Sequence, residues 1–85
     1  MKNYQVRVDK RALKFFRRLP RKQAEQLKMV LKRLVNNPRP QDSKKLVDTG
    51  GYRLPVGEYR ILYFIDDEAA TVDVYLIIKR NDFSY

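Results

Sequence analysis

Residues 52–65 read Tyr52-Arg53-Leu54-Pro55-Val56-Gly57-Glu58-Tyr59-Arg60-Ile61-Leu62-Tyr63-Phe64-Ile65, and this stretch decides the fold. Two β-like runs, Tyr52 to Val56 and Glu58 to Ile65, flank the turn Val56-Gly57-Glu58, which is the pattern of a β-hairpin. Side chains on a strand alternate between faces. Tyr52, Leu54 and Val56 therefore share one face of the first run, and Tyr59, Ile61, Tyr63 and Ile65 one face of the second. Arg53 and Pro55 fall on the opposite side, as do Arg60, Leu62 and Phe64. If a helical layer covers the aromatic and aliphatic sets, Arg53 and Arg60 emerge together on the uncovered face.

After the hairpin, residues 66–70 (Asp66-Asp67-Glu68-Ala69-Ala70) form a polar turn, and Thr71 to Lys79 is the most apolar strand of the chain. Period two places Val72, Val74, Leu76 and Ile78 on one face and Tyr75 and Ile77 on the other. Apolar residues on both faces predict a central strand. Before the hairpin, residues 38–51 read as a loop, stiffened by Pro38 and Pro40, carrying Lys44 and Lys45, and closed by Gly50-Gly51. Ala24, Leu27, Leu31 and Leu34 step by three, four and three, the stripe of an amphipathic helix. Asn36-Asn37-Pro38 ends it, because proline disfavours helical geometry in the residue before it. A first helix is predicted from about Lys10 to Leu19, with Asp9 as its N-cap and Ala12, Phe16 and Leu19 on its apolar face. Pro20 separates the two helices and can open the second. Tyr4 to Val8 alternates as a short strand. The order β-α-α-β-β-β predicts an α+β fold, a small antiparallel-rich sheet with a helical hairpin packed on one face.

At 85 residues the chain is expected to form one domain, 1–85. It has no Cys, which excludes disulfides and thiolate metal sites and fits a reducing, cytoplasmic setting. No run of 18 apolar residues is present, so no membrane helix is expected, and the N-terminus lacks the apolar core of a secretory signal.

The charge is unevenly placed. Residues 1–45 hold 15 Lys/Arg against 3 Asp/Glu, and residues 46–85 hold 4 against 7. The whole chain carries +9, which points to a polyanionic partner: nucleic acid, ribosome, membrane surface or acidic protein. The four basic residues of the acidic half are Arg53, Arg60, Lys79 and Arg80, and all lie in or at the end of a β-like segment. They read either as solvated charges paired with Glu58 or Asp73, or as cations presented by a sheet to a phosphate. The basic helix residues, Arg17 and Arg18 among them, read as a polar helix face.

With no His, neither a His general acid–base pair nor a Ser–His or Cys–His nucleophile can be built. No P-loop or GxGxxG is present, and no cofactor is expected. Asp66-Asp67-Glu68 reads as a turn, and no metal site is expected there.

Gly51-Tyr52-Arg53-Leu54-Pro55-Val56-Gly57-Glu58-Tyr59-Arg60-Ile61-Leu62-Tyr63 resembles a signature segment of the RelE/ParE superfamily of type II toxins. Lys79-Arg80-Asn81-Asp82 after an apolar strand is similar to that family's basic strand end, and the resemblance covers nearly the whole chain. RelE-like members cleave mRNA in the ribosomal A site, and ParE-like members inhibit DNA gyrase. The resemblance implies a metal-independent endoribonuclease that uses the ribose 2′-OH, with Arg53, Arg60, Arg80 and Tyr85 at the catalytic site. It implies contacts to RNA or the ribosome through Lys44, Lys45, Lys79, Arg17 and Arg18. A gyrase inhibitor without catalysis is the alternative. The family's second basic position on the first hairpin strand falls on Pro55, so one cation is missing. Lys79 or a group on the RNA or ribosome is left as the proton acceptor. An acidic antitoxin forming a heteromeric complex is the implied partner.

Overall fold

The computed structural model describes residues 3–80. Tyr85, and Asn81 and Asp82 of the basic strand end, lie outside the described residues. The elements are β1 (Gln5–Val8), α1 (Lys10–Arg17), α2 (Arg21–Asn36), β2 (Lys44–Lys45), β3 (Tyr52–Val56), β4 (Tyr59–Asp66) and β5 (Thr71–Lys79). They form one five-stranded sheet in the order β1-β5-β4-β3-β2. β1 runs parallel to β5, and the other pairs are antiparallel. The α+β architecture with the helical hairpin on one sheet face follows the sequence pattern.

The β3–β4 hairpin closes through a two-residue turn, because Val56 pairs with Tyr59. Gly57 has φ 58°, a conformation that L side chains rarely adopt and that the first central position of such a turn demands. The helices pack on the side predicted for them. Ala12 of α1 and Leu27 and Leu34 of α2 are fully buried, in one cluster with Leu54, Val56, Ile61, Tyr63, Val72, Val74 and Ile77. Each large aliphatic side chain taken from water here contributes roughly 1.5–3 kcal/mol.

The helix ends show what the sequence left out. Asp9 occupies the N-cap position of α1, but its side chain makes no capping hydrogen bond. Its carbonyl accepts the Leu13 N–H at 2.8 Å instead. α1 ends at Arg17 rather than Leu19, since the N–H groups of Arg18 and Leu19 turn back three residues to Phe15 and Phe16 at 3.1 Å each. Pro20 is the N-cap of α2, and its carbonyl accepts the Ala24 N–H. Asn37 is extended (φ −144°, ψ 96°), as a residue before proline should be.

Two corrections concern strands. The expected 38–51 loop contains β2, whose Lys44 and Lys45 pair with Arg53 and Tyr52. The strict alternation expected for β5 fails at its middle. Leu62 pairs with Leu76 but Tyr63 with Val74, so Tyr75 is an extra residue, a β-bulge. Downstream of it the faces exchange. Val72 and Val74 are buried on the helix side together with Ile77, while Leu76 and Ile78 turn to the open side with Leu62 and Arg60.

A polar clamp ties the loop after α2 to the far end of the sheet. Arg39 forks onto the Asp67 carboxylate at 3.1 and 2.8 Å and donates to the Tyr52 hydroxyl at 2.9 Å. Tyr4 donates its hydroxyl to the same carboxylate at 2.6 Å. The Asp67 contact, then that of Tyr52, holds the Arg39 guanidinium above its usual pKa. Asp66 accepts the Ala69 N–H, so the acidic run serves as a turn and an anchor.

Tyr63, 0% exposed, stacks on Tyr52 and donates its hydroxyl to the Pro38 carbonyl at 2.9 Å. Burial is the main cause that pushes its phenol up to about 12. A pKa raised on folding favours the neutral phenol, so this stabilisation is complete below the unfolded value near 10 and fades as pH rises through about 12. Tyr63→Phe is expected to cost about 1 kcal/mol at neutral pH by orphaning the Pro38 carbonyl. It should also remove part of the stability loss between pH 10 and 12, as chemical denaturation across that range would measure.

Candidate functional site

On the sheet face opposite the helices, Arg53, Arg60, Arg80, Lys44, Pro55 and Asp42 line one open cavity of about 340 Å³. Strand pairing explains the convergence. Lys44 lies directly across from Arg53, so they share a face. Arg53 is across from Leu62, and Arg60 is two residues before Leu62 on β4, so the two arginines are diagonal neighbours. Such neighbours lie roughly 7–8 Å apart, within reach of long side chains. Arg60 is in turn across from Ile78. The Arg80 N–H donates to the Glu58 carbonyl, which carries the pairing past the end of β5 and brings Arg80 to the same side as Ile78. The bulge at Tyr75 makes this possible, because an unbroken period would exchange the faces of Lys79 and Arg80.

Among the described residues the cavity thus gathers four cations around one carboxylate, Asp42. Arg53 and Arg60 are half-buried, Lys44 and Arg80 exposed. Guanidinium groups gathered on one face are suited to present forked donors to a phosphate. Pairing with Asp73, one of the readings open for these arginines, is not what the fold builds. Asp73 is bound by Arg7, at 2.7 and 3.2 Å.

The other predicted contact residues lie elsewhere. Lys79 is across from Tyr59, and Lys45 from Tyr52, so both belong to the opposite face from the arginine cavity. Arg17 and Arg18 line a separate surface concavity of about 490 Å³ with Lys10, Leu13 and Lys14. Lys10, Lys14 and Arg17 are spaced four and three apart, one stripe of α1. Asp42 was missed by sequence reading. It sits in the turn just before the two-residue β2, where no strand or helix period applies, so the sequence carries no local signal for it. Pro55 sits directly across from Arg60. It lies on the part of β3 beyond the two-residue β2, where the sheet tolerates a proline.

On the same open face, beyond Leu62, Phe64 stacks on Tyr75 with ring centroids 4.8 Å apart and planes 22° apart. Phe64 is 40% exposed, whereas Leu62 is 5% exposed. Gly51 adjoins the Phe64 ring so closely that a Cβ there would come within 3.1 Å of it. Among the described residues, no group of three or more carboxylates is placed to hold a metal ion, and no helix is long and apolar enough to cross a membrane.

The family model for the ParE toxin of type II toxin-antitoxin systems, parDE, matches residues 6–82. Among solved structures the chain is similar to one in the archaeal RelE–RelB complex from Pyrococcus horikoshii OT3, with 25% identity and a TM-score of 0.86, covering 98% of this chain and 100% of that one. It is similar to one in the intact E. coli RelBE toxin–antitoxin complex, with 32% identity and a TM-score of 0.78, covering 89% and 95%. A chain of the Mycobacterium tuberculosis RelBE2 toxin–antitoxin complex shares 28% identity at a TM-score of 0.81, covering 92% and 99%. No curated protein matches this chain.

Proposed function

Because this chain belongs to the RelE/ParE superfamily of type II toxins, we propose that it is an mRNA interferase that cleaves mRNA on the ribosome and so blocks translation. The observation that carries this reading is the meeting of Arg53, Arg60, Arg80 and Lys44 in one cavity on the face the helices leave open.

The chemistry is attack of a ribose 2′-oxygen on the adjacent phosphorus. The P–O5′ bond breaks and the departing O5′ takes a proton from water, leaving a 2′,3′-cyclic phosphate and a 5′-hydroxyl. Negative charge grows on the phosphoryl oxygens during this step. Preorganised arginine donors stabilise that charge more than the ground state, and one such donor is worth roughly 10²–10³ in rate. A proton must leave the 2′-hydroxyl. Lys79 lies on the opposite face, so Asp42, the carboxylate lining the cavity, is the better-placed acceptor. Asp42→Asn is expected to lower cleavage by roughly 10²-fold or more, as single-turnover rates would measure. The stripe Lys10–Lys14–Arg17 on α1 supplies a second cationic surface for ribosomal RNA, with binding that weakens as salt rises. The RelE–RelB and RelBE complexes among the relatives support an antitoxin as partner. The charge of +9 suits an acidic one.

Pro55 in the cavity, and the ParE description of the family model, favour a second reading, a gyrase inhibitor without catalysis. One experiment separates the two. Purified protein is added to a translating system, with mRNA ends mapped by primer extension, and to a gyrase supercoiling reaction. Cuts within A-site codons support the interferase, while intact mRNA with blocked supercoiling overturns it in favour of the gyrase reading.

A further inference from the structure

We infer that the stacked pair Phe64–Tyr75 is a base-stacking subsite, which holds a nucleobase of single-stranded RNA close to the nucleotide whose phosphate occupies the arginine cavity. The inference rests on the mRNA-cleaving reading and adds to it a second contact on the same strand of RNA.

Phe64 and Arg60 share β4 and, four residues apart, the same face. That places the ring roughly 13 Å from the arginine along the strand, within reach of nucleotides neighbouring one bound at the cations. An aromatic pair across two strands can serve the sheet alone. This one keeps 40% of Phe64 in solvent, although the same face buries Leu62 to 5%. Ring surface therefore remains for a third flat group after Tyr75 has stacked. Gly51 leaves the ring room beside the chain entering β3, since a Cβ there would crowd it at 3.1 Å and the Tyr63 carbonyl at 3.0 Å. Asp73, directly across from Phe64, is paired with Arg7. Four cations at one end of a sheet face and an open aromatic stack farther along it are the two components by which single strands are held. A duplex cannot use the stack, because its bases are already paired and stacked.

The test uses short single-stranded RNAs made uncleavable by 2′-O-methylation and carrying 2-aminopurine at successive positions, titrated with the full chain at low salt. The expected result is fluorescence quenching at one position only. Phe64→Leu should abolish it and weaken binding roughly 5- to 100-fold, with the salt dependence of affinity unchanged because no phosphate contact is lost. Phe64→Tyr should keep the quench, and thermal melts of all variants establish that they fold. Binding and quenching by Phe64→Leu equal to wild type would overturn the inference, as would failure of the wild-type chain to bind or quench. An antitoxin whose affinity falls in Phe64→Leu, with RNA unaffected, would make the face a protein-docking surface and overturn it equally. Cleavage in the translating system is scored separately. Quenching without cleavage sinks the nuclease reading, and cleavage without quenching sinks only the subsite.

Discussion

Arg80→Ala is expected to lower ribosome-dependent mRNA cleavage roughly 10²–10³-fold, the loss associated with one donor to a developing oxyanion. Lys79→Ala, one residue earlier, should lose far less. The contrast follows from the fold and not from charge, because both substitutions remove one cation. Lys79 pairs across from Tyr59 on the helix-covered side, while Arg80 lines the cavity with Arg53 and Arg60. The effect of Arg80→Ala should fall on the rate constant measured with saturating ribosomes, since the interaction is made mainly in the transition state. Equal losses at the two positions would mean that the chain uses its strand end as a diffuse positive patch. The arginine cavity would then not be a catalytic site.

Leu34→Ala is expected to be the most damaging of the conservative core truncations, at about 2–5 kcal/mol. Leu34 is 0% exposed and belongs to the last turns of α2. Beside it the Val35 carbonyl accepts the Tyr4 N–H at 2.8 Å, which joins the helix to the residue before β1. A domain of this size has a total stability of roughly 5–15 kcal/mol. The truncation would therefore consume a large part of it. Urea denaturation should show a lower midpoint with an unchanged slope. A cost below about 1 kcal/mol would mean that the site collapses around the missing atoms.

The hairpin was readable because each of its strands carries an arginine on one face while the other face is wholly aromatic or aliphatic, so the period had a phase. Arg53 and Arg60 could be placed on the open side for that reason. β5 offered no such mark. Tyr75 and Leu76 are both apolar, so either phase satisfies the pattern and the bulge leaves no trace in composition. Strand period alone therefore could not put Arg80 in the cavity, and only the resemblance of its strand end to the family's pointed there. β2 is two residues long, too short for any period to register. The clamp of Arg39 was hidden for another reason. Its acceptor Asp67 is 28 residues away, and Tyr4, which shares that carboxylate, is 63 residues from it. Only tertiary packing brings such partners together. Nothing in the local sequence of Pro38-Arg39-Pro40 announces them.

The parallel pairing of β1 with β5 has a consequence for synthesis. The first strand of the sheet has no neighbour until the last strand has been made, and the Arg7–Asp73 bridge closes across 66 residues of chain. Chains grow at about 5–20 residues per second, so β1 and the helices wait seconds for the partner that completes their layer. Arg80 is the last of the four cavity cations to be made. An unfinished chain consequently carries at most three of them, and the cationic cavity is incomplete until synthesis has passed Arg80. An antitoxin already present can therefore meet the growing chain before that cavity is complete.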